Sequence, residues 1–188
     1  KEKLDIEVIG DPEIQINNME ASKLIDKFQI KKDQTNILLG IGGSGPTKRI
    51  PANIFLDVIE KLSKIKKCKF FLATGKNSDE QILLNEILKS KFGDLCLPLD
   101  SLSIKEILPI IKSCDLSICN DSSFSHLSAA LGIKTITLMA DTPLIYGAYS
   151  SKMFPVIPDG EETVSHNTLG KEKISPQKIF NKILEIIN

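Results

Sequence analysis

From Asn36 onward the chain alternates two hydrophobic periods. Asn36 to Gly40 is a short apolar run of strand character, and Ile54, Phe55, Val58, Ile59 and Leu62 then recur at helical spacing after Pro51. Lys69 to Thr74 predicts a second strand. Beyond the turn Gly75-Lys76-Asn77-Ser78-Asp79, the residues Ile82, Leu83, Ile87 and Leu88 form the stripe of a second helix. Leu95 to Leu99 predicts a third, short strand. Ser103 and Glu106 match the S-x-x-E capping box ahead of Ile104, Ile107, Leu108 and Ile111, while Pro109 inside that stripe argues against regular geometry. Asp115 to Cys119 and Lys134 to Leu138 predict the fourth and fifth strands, flanking a short helix that stops at Gly132. Ser175 and Pro176 read as N-cap and N1 of a closing helix with Ile179, Ile183, Leu184 and Ile187 on its apolar face.

Strands alternating with helices predict an α/β domain, a Rossmann-like doubly wound parallel sheet over residues 35–188. Residues 1–34 hold one plausible helix around Ala21 to Phe28 and no strong strand, and read as a connector or the tail of a preceding domain. Tyr146 to Lys173, with two prolines, three glycines and little periodicity, reads as a long loop of the kind that often carries function.

Composition narrows the function classes. A chain of 188 residues that is 41% hydrophobic builds one substantial core. Its 24 basic and 24 acidic residues cancel, so no global field recruits nucleic acid or anionic lipid, and any anion site must be local. No apolar run approaches the roughly 20 residues that cross a bilayer. The start at Lys1, without Met or a signal-peptide stretch, reads as a fragment or a processed chain. Cys68, Cys96, Cys114 and Cys119 show neither CxxC nor zinc-site spacing, and read as structural thiols of a reducing cytoplasm. No metal site is expected.

The most informative stretch is Asp121-Ser122-Ser123-Phe124-Ser125-His126-Leu127-Ser128-Ala129-Ala130-Leu131-Gly132, between two apolar strands. It sets a carboxylate, hydroxyls and an imidazole where a helix begins, at the sheet edge where open α/β folds bind ligands and helix N-termini attract anions. Asp121 reads either as the helix N-cap or as part of a ligand site, and the two are compatible. His126 alone reads as a packed histidine as readily as a ligand contact. Asp121, Ser122, Ser125 and His126 make no hydrolase triad, because neighbours on one turn diverge and no G-x-S-x-G elbow is present.

Gly40-Ile41-Gly42-Gly43-Ser44-Gly45 matches G-x-G-x-x-G in letters only. The residues Pro46 to Pro51 separate it from the helix, and no acidic residue closes a second strand where a ribose would need one. A Walker A loop fails as well, since Pro46-Thr47 follows Gly45. What remains is a glycine loop whose backbone N–H groups, with the hydroxyls of Ser44 and Thr47 and the charges of Lys48 and Arg49, suit an anion. Asp79 and Glu80 open the second helix. They read either as complements to its dipole or as a carboxylate that bridges ribose hydroxyls.

Taken together, the loop ending in Thr47-Lys48-Arg49-Ile50-Pro51, the run Leu97-Pro98-Leu99-Asp100-Ser101-Leu102-Ser103 and the segment Asp121 to Gly132 resemble the C-terminal half of a glycosyltransferase of family 9, the heptosyltransferases. The resemblance spans about Asn36 to Tyr146. It implies the donor-binding domain of a GT-B fold, acting in lipopolysaccharide or related glycan synthesis, with ADP-heptose or another nucleotide sugar as donor and no metal or other cofactor. It implies that Ser44 and Lys48 hold the pyrophosphate, and that Asp79 or Glu80 holds the ribose. Asp121, with the N–H groups of Ser122 and Ser123, faces diphosphate and sugar, and His126 lies near the sugar, which makes Lys48 and His126 the catalytic candidates. The implied partners are the N-terminal Rossmann half, which supplies the catalytic base, and a glycan or glycolipid acceptor; the implied location is the cytoplasm, peripheral at the inner membrane. Three positions depart from the family's habit: Arg49-Ile50 where x-Trp is frequent, Ser123 where Gly is usual, and Ala140-Asp141 where Gly-Pro is frequent. A nucleotide-sugar 2-epimerase and a non-enzymatic Rossmann-like interaction module are the competing readings.

Overall fold

The computed structural model describes residues 10–28, 30–43 and 45–187. Six strands, β1 Thr35–Gly40, β2 Cys68–Ala73, β3 Cys96–Pro98, β4 Leu116–Asn120, β5 Thr135–Leu138 and β6 Met153–Val156, form one parallel sheet in the order β3-β2-β1-β4-β5-β6. The expected doubly wound sheet is present, with its order reversing between β1 and β4. Ligands of open α/β sheets bind at such a reversal, beyond the strands' carboxyl ends.

Alternation along each strand divides the core between the two faces. On one face Ile37, Leu39, Phe70, Leu72, Ile118 and Ile136 are covered by α2 Ala52–Ser63, α3 Ser78–Leu88 and α6 Pro176–Ile187. On the other, Leu38, Phe71 and Cys119 meet α4 Ile104–Lys112 and α5 Ser123–Ala130. Described residues before β1 join this second layer. The helix α1 Asn18–Lys27 packs beside α4, Ile14, Ile16, Phe28 and Ile30 join the second core, and the Ile14 N–H donates to Ala130 O at 2.8 Å.

Local signals explain the element ends. In α4, Ser103 and Glu106 cap each other reciprocally, as the sequence predicts, and the helix runs through Pro109 to Lys112. Burial of Ile107, Ile110 and Ile111 on the sheet offsets the bond that proline cannot make. Gly132 ends α5 at φ 81, with Gly132 N–H on Ala129 O and Ile133 N–H on Ser128 O, a Schellman arrangement that a Cβ would strain.

The long loop expected from Tyr146 to Lys173 instead contains β6. Pro155 concealed that strand, and it is tolerated because β6 is an edge strand bonded only to β5. All four cysteines are free and buried, and burial raises their thiol pKa values, to about 11 at Cys96 and about 12 at Cys119.

Candidate active site at the strand reversal

A crevice of about 500 Å³ opens at the carboxyl ends of β1, β2 and β4, lined by Gly42, Gly43, Thr74, Glu80, Asp100 and Ser122 among others. A larger hollow of about 790 Å³ lies at the opposite edge, beside Thr35, Asp115 and Lys134. The crevice is the better candidate, because the glycine loop and the start of α5 meet there and the larger hollow has no such groups.

The glycine loop is held by two buried side chains. Asn120, fully buried at the end of β4, donates through Nδ2 to Ile41 O at 2.7 Å and to Gly42 O at 3.3 Å. Glu80, 5% exposed, accepts the Gly43 N–H at 2.6 Å and is also bonded by the Asn77 amide. Three successive residues of the loop are thereby oriented before any ligand arrives. Gly42 is required for this approach, since a Cβ there would come within 2.6 Å of Glu80 Oε1 and 3.0 Å of Thr74 Cα.

Across the reversal, Lys48 Nζ donates to Asp121 Oδ2 at 2.8 Å, joining the loop after β1 to the turn after β4. Asp121 does not cap α5. The N-cap position falls one residue later, on Ser122, whose side chain makes no capping bond, so the Asp121 carboxylate is committed to Lys48. Ser122 Oγ and Thr74 Oγ1 are buried without a protein partner among the described residues, and both residues line the crevice. Orphaned buried hydroxyls need an explanation, and a polar ligand supplies one. Ser123, beside them, is exposed in the first turn of α5.

The remaining candidates separate. Asp79 is 66% exposed on its side chain and pairs with Arg49 Nη2 at 2.9 Å, while Glu80 points into the glycine loop. Asn77 caps α3 by accepting the Glu80 N–H at 3.0 Å. His126 shares a 2.8 Å hydrogen bond between Nδ1 and the Tyr149 hydroxyl, with the rings stacked 5.6 Å apart. Thr47 is half-buried beside Lys48, and Asp141 accepts the Leu169 N–H at 2.8 Å. Ser44 lies outside the described residues. Among these residues no group of three or more His, Cys, Asp or Glu is gathered for a metal ion.

Asn120, Asn77, Tyr149 and Asp141 escaped sequence reading as site residues. Only Asn120 left a usable signal, as a polar side chain ending a buried strand just before the flagged Asp121.

Comparison with known proteins finds relatives of this chain. Lipopolysaccharide heptosyltransferase 1 of Campylobacter coli is 28% identical over 151 residues, covering 79% of this chain and 44% of that protein. The structure of E. coli ADP-heptose LPS heptosyltransferase II superimposes with a TM-score of 0.75 at 21% identity, over 94% of this chain and 53% of that one. E. coli heptosyltransferase WaaC with ADP gives 0.70 at 16% identity, over 93% and 51%. The structural likenesses establish the fold, a Rossmann-like sheet as found in GT-B glycosyltransferases, and the chain spans about half the length of these relatives. Neither the epimerase nor the interaction-module reading draws support from them. A family model described as glycosyltransferase family 9 (heptosyltransferase) matches residues 2–179, and the chain belongs to that family.

Proposed function

We propose that the chain is the donor-binding half of a heptosyltransferase-like enzyme of lipopolysaccharide or related glycan synthesis, and that its crevice takes a nucleotide sugar, ADP-heptose or a close analogue. The observation that carries this is the Lys48–Asp121 pair, set at the strand reversal between a pinned glycine loop and the start of α5.

Lys48 holds the pyrophosphate together with Ser44, Thr47 and the N–H groups of Ser122 and Ser123. An ammonium has three donors, and the bond to Asp121 uses one, so the rest remain for phosphate oxygens. Glu80 is the ribose residue in preference to Asp79, because Glu80 lines the crevice and Asp79 is engaged by Arg49 outside it. His126 and Asp121 attend the sugar.

As the anomeric C–O bond breaks, negative charge develops on the departing nucleoside diphosphate. The Lys48 cation and the N-terminal dipole of α5 stabilise that charge without a metal or other cofactor. The acceptor glycan and the catalytic base belong to a preceding Rossmann half joined through residues 1–34, so this chain alone binds donor without transferring sugar. The enzyme works at the cytoplasmic side of the inner membrane; among the described residues no helix is long and apolar enough to cross a membrane.

Calorimetric titration of the chain with ADP, UDP and GDP at millimolar concentration tests the reading. Binding of ADP is expected, and absence of heat with all three overturns it.

A further inference from the structure

We propose that His126, Tyr146, Tyr149 and His166 form a sugar-binding platform beside the nucleotide crevice, where aromatic rings take the C–H face of a pyranose; the place given to His126 rests on the donor-site reading.

The rings of this chain sort by polarity. It has no Trp, two Tyr, two His and eight Phe. The phenylalanines all lie in the two cores or pack against them. The four rings with a polar tip pair with one another instead. Tyr149 stacks on His126 with centroids 5.6 Å apart and planes 18° from parallel, and Tyr146 meets His166 at 6.5 Å. Tyr146 is 50% and Tyr149 44% exposed, and Ile145 beside them is 73% exposed. A single exposed ring is ordinary on a surface, but the gathering of every tyrosine and histidine of a chain is not.

Topology sets these rings beside the crevice. His126 lies in α5 after β4, the tyrosines follow β5 and His166 follows β6, so all four come after the carboxyl ends of three adjacent strands. Ser122 and Ser123, at the head of α5, line the crevice, and His126 comes about one turn later. The platform is held before any ligand arrives. A Cβ at Gly147, between the two tyrosines, would run into the thioether of Met139, so that turn is packed against the residue that follows β5. Asp11 accepts the Ser151 N–H at 3.0 Å and the Ser151 hydroxyl at 2.6 Å. The Leu169 N–H on Asp141 and the Gly170 N–H on Ala140 O, at 3.0 Å, tie the His166 segment to the same strand end.

The chemistry of the rings names the occupant. A pyranose presents C–H groups on a face and hydroxyls around its rim. Aromatic faces attract the first, and phenol and imidazole tips bond the second. Tyr149 occupies Nδ1 of His126 at 2.8 Å, which leaves Nε2 for a sugar hydroxyl. A purely apolar partner would be met by phenylalanine or leucine rather than by rings with polar tips. Beside a donor crevice the pyranose has two sources, the donor's own sugar and the acceptor glycan.

Ring-labelled tyrosine gives NMR signals from the platform alone, since both tyrosines of the chain lie in it. Methyl mannopyranoside, a heptose-containing oligosaccharide released from lipopolysaccharide, and ADP-mannose are titrated in turn. At least one of them should shift the signals of both tyrosines saturably. A shift with the free sugars assigns the platform to the acceptor glycan, and a shift with ADP-mannose that ADP does not reproduce assigns it to the donor's sugar. Tyr146→Ala should weaken the sugar that binds by about three- to tenfold, the scale of one aromatic stack, and leave ADP affinity level. Signals that stay in place with all three ligands, or move at one tyrosine alone, overturn the platform, as does a Tyr146→Ala chain that binds sugar as well as wild type. A wild-type chain that binds the oligosaccharide but not ADP sinks the donor reading and leaves the platform standing.

Discussion

Lys48 Nζ and Asp121 Oδ2 lie 2.8 Å apart although 73 positions separate them in sequence. Their elements, the loop after β1 and the turn after β4, become neighbours only because β1 and β4 pair across the reversal of the sheet. Lys48 is about a quarter exposed and Asp121 almost fully buried, so the cation keeps contact with solvent while its partner is shielded from it.

Lys48→Ala should therefore weaken ADP by about 1.5–3 kcal/mol, the range for a hydrogen bond to a charged group, and leave adenosine almost untouched. Parallel calorimetric titrations read the difference. Equal losses for ADP and adenosine would mean that Lys48 serves the fold or the base.

Glu80→Ala and Asp79→Ala should differ sharply. Removing Glu80 releases the Gly43 N–H and empties a crevice wall, so ADP and adenosine should both bind more weakly, by about 1–3 kcal/mol. Asp79→Ala removes an exposed ion pair of the kind worth about 1 kcal/mol or less, and should leave both affinities nearly unchanged. The reverse ranking would move the ribose contact to Asp79.

Asn120→Leu should destabilise the chain by about 1–3 kcal/mol in urea unfolding, because the Ile41 and Gly42 carbonyls lose a buried donor. A change below 0.5 kcal/mol, roughly the scale of a neutral surface substitution, would show that those carbonyls find other partners.

Stability at acid pH should report on Asp141. Burial raises its carboxyl pKa, but the N–H groups of Leu169 and Asn167, the Thr47 hydroxyl and nearby His166 outweigh that and hold it below the usual value. A carboxyl depressed in the fold stabilises above its unfolded value, about 4, and that contribution is lost as pH falls through the lower folded value. Wild type should therefore exceed Asp141→Asn in melting temperature at pH 6, with the gap closing as pH falls below about 4. A gap that is constant with pH would rule out the charge.

His126→Ala should cost about 1 kcal/mol of stability, the scale of one exposed stack and hydrogen bond to Tyr149. ADP affinity should stay level, while sugar transfer by the intact two-domain enzyme falls. A large loss of melting temperature with transfer per folded molecule unchanged would make His126 a packing residue.

The periodic apolar runs were sufficient to predict five of the six strands, the capping box at Ser103, the Gly132 stop and the parallel class. Each of these is a local pattern, set by side-chain period or by the conformational needs of one or two residues. The strand Met153–Val156 stayed hidden because a proline at a sheet edge looks like a loop until its one neighbour is known. The polar stretch from Asp121 and the loop through Lys48 could be marked as one site only through their resemblance to a family. Spacing alone does not say that two segments so far apart adjoin. What each carboxylate does was settled only by the folded chain: Asp121 holds Lys48 rather than the helix end, Glu80 holds the glycine loop while Asp79 faces solvent, and Asp141 takes the Leu169 N–H. A carboxylate accepts from whichever donor comes within reach, and the approach of distant loops, which no local pattern encodes, decides which donor that is.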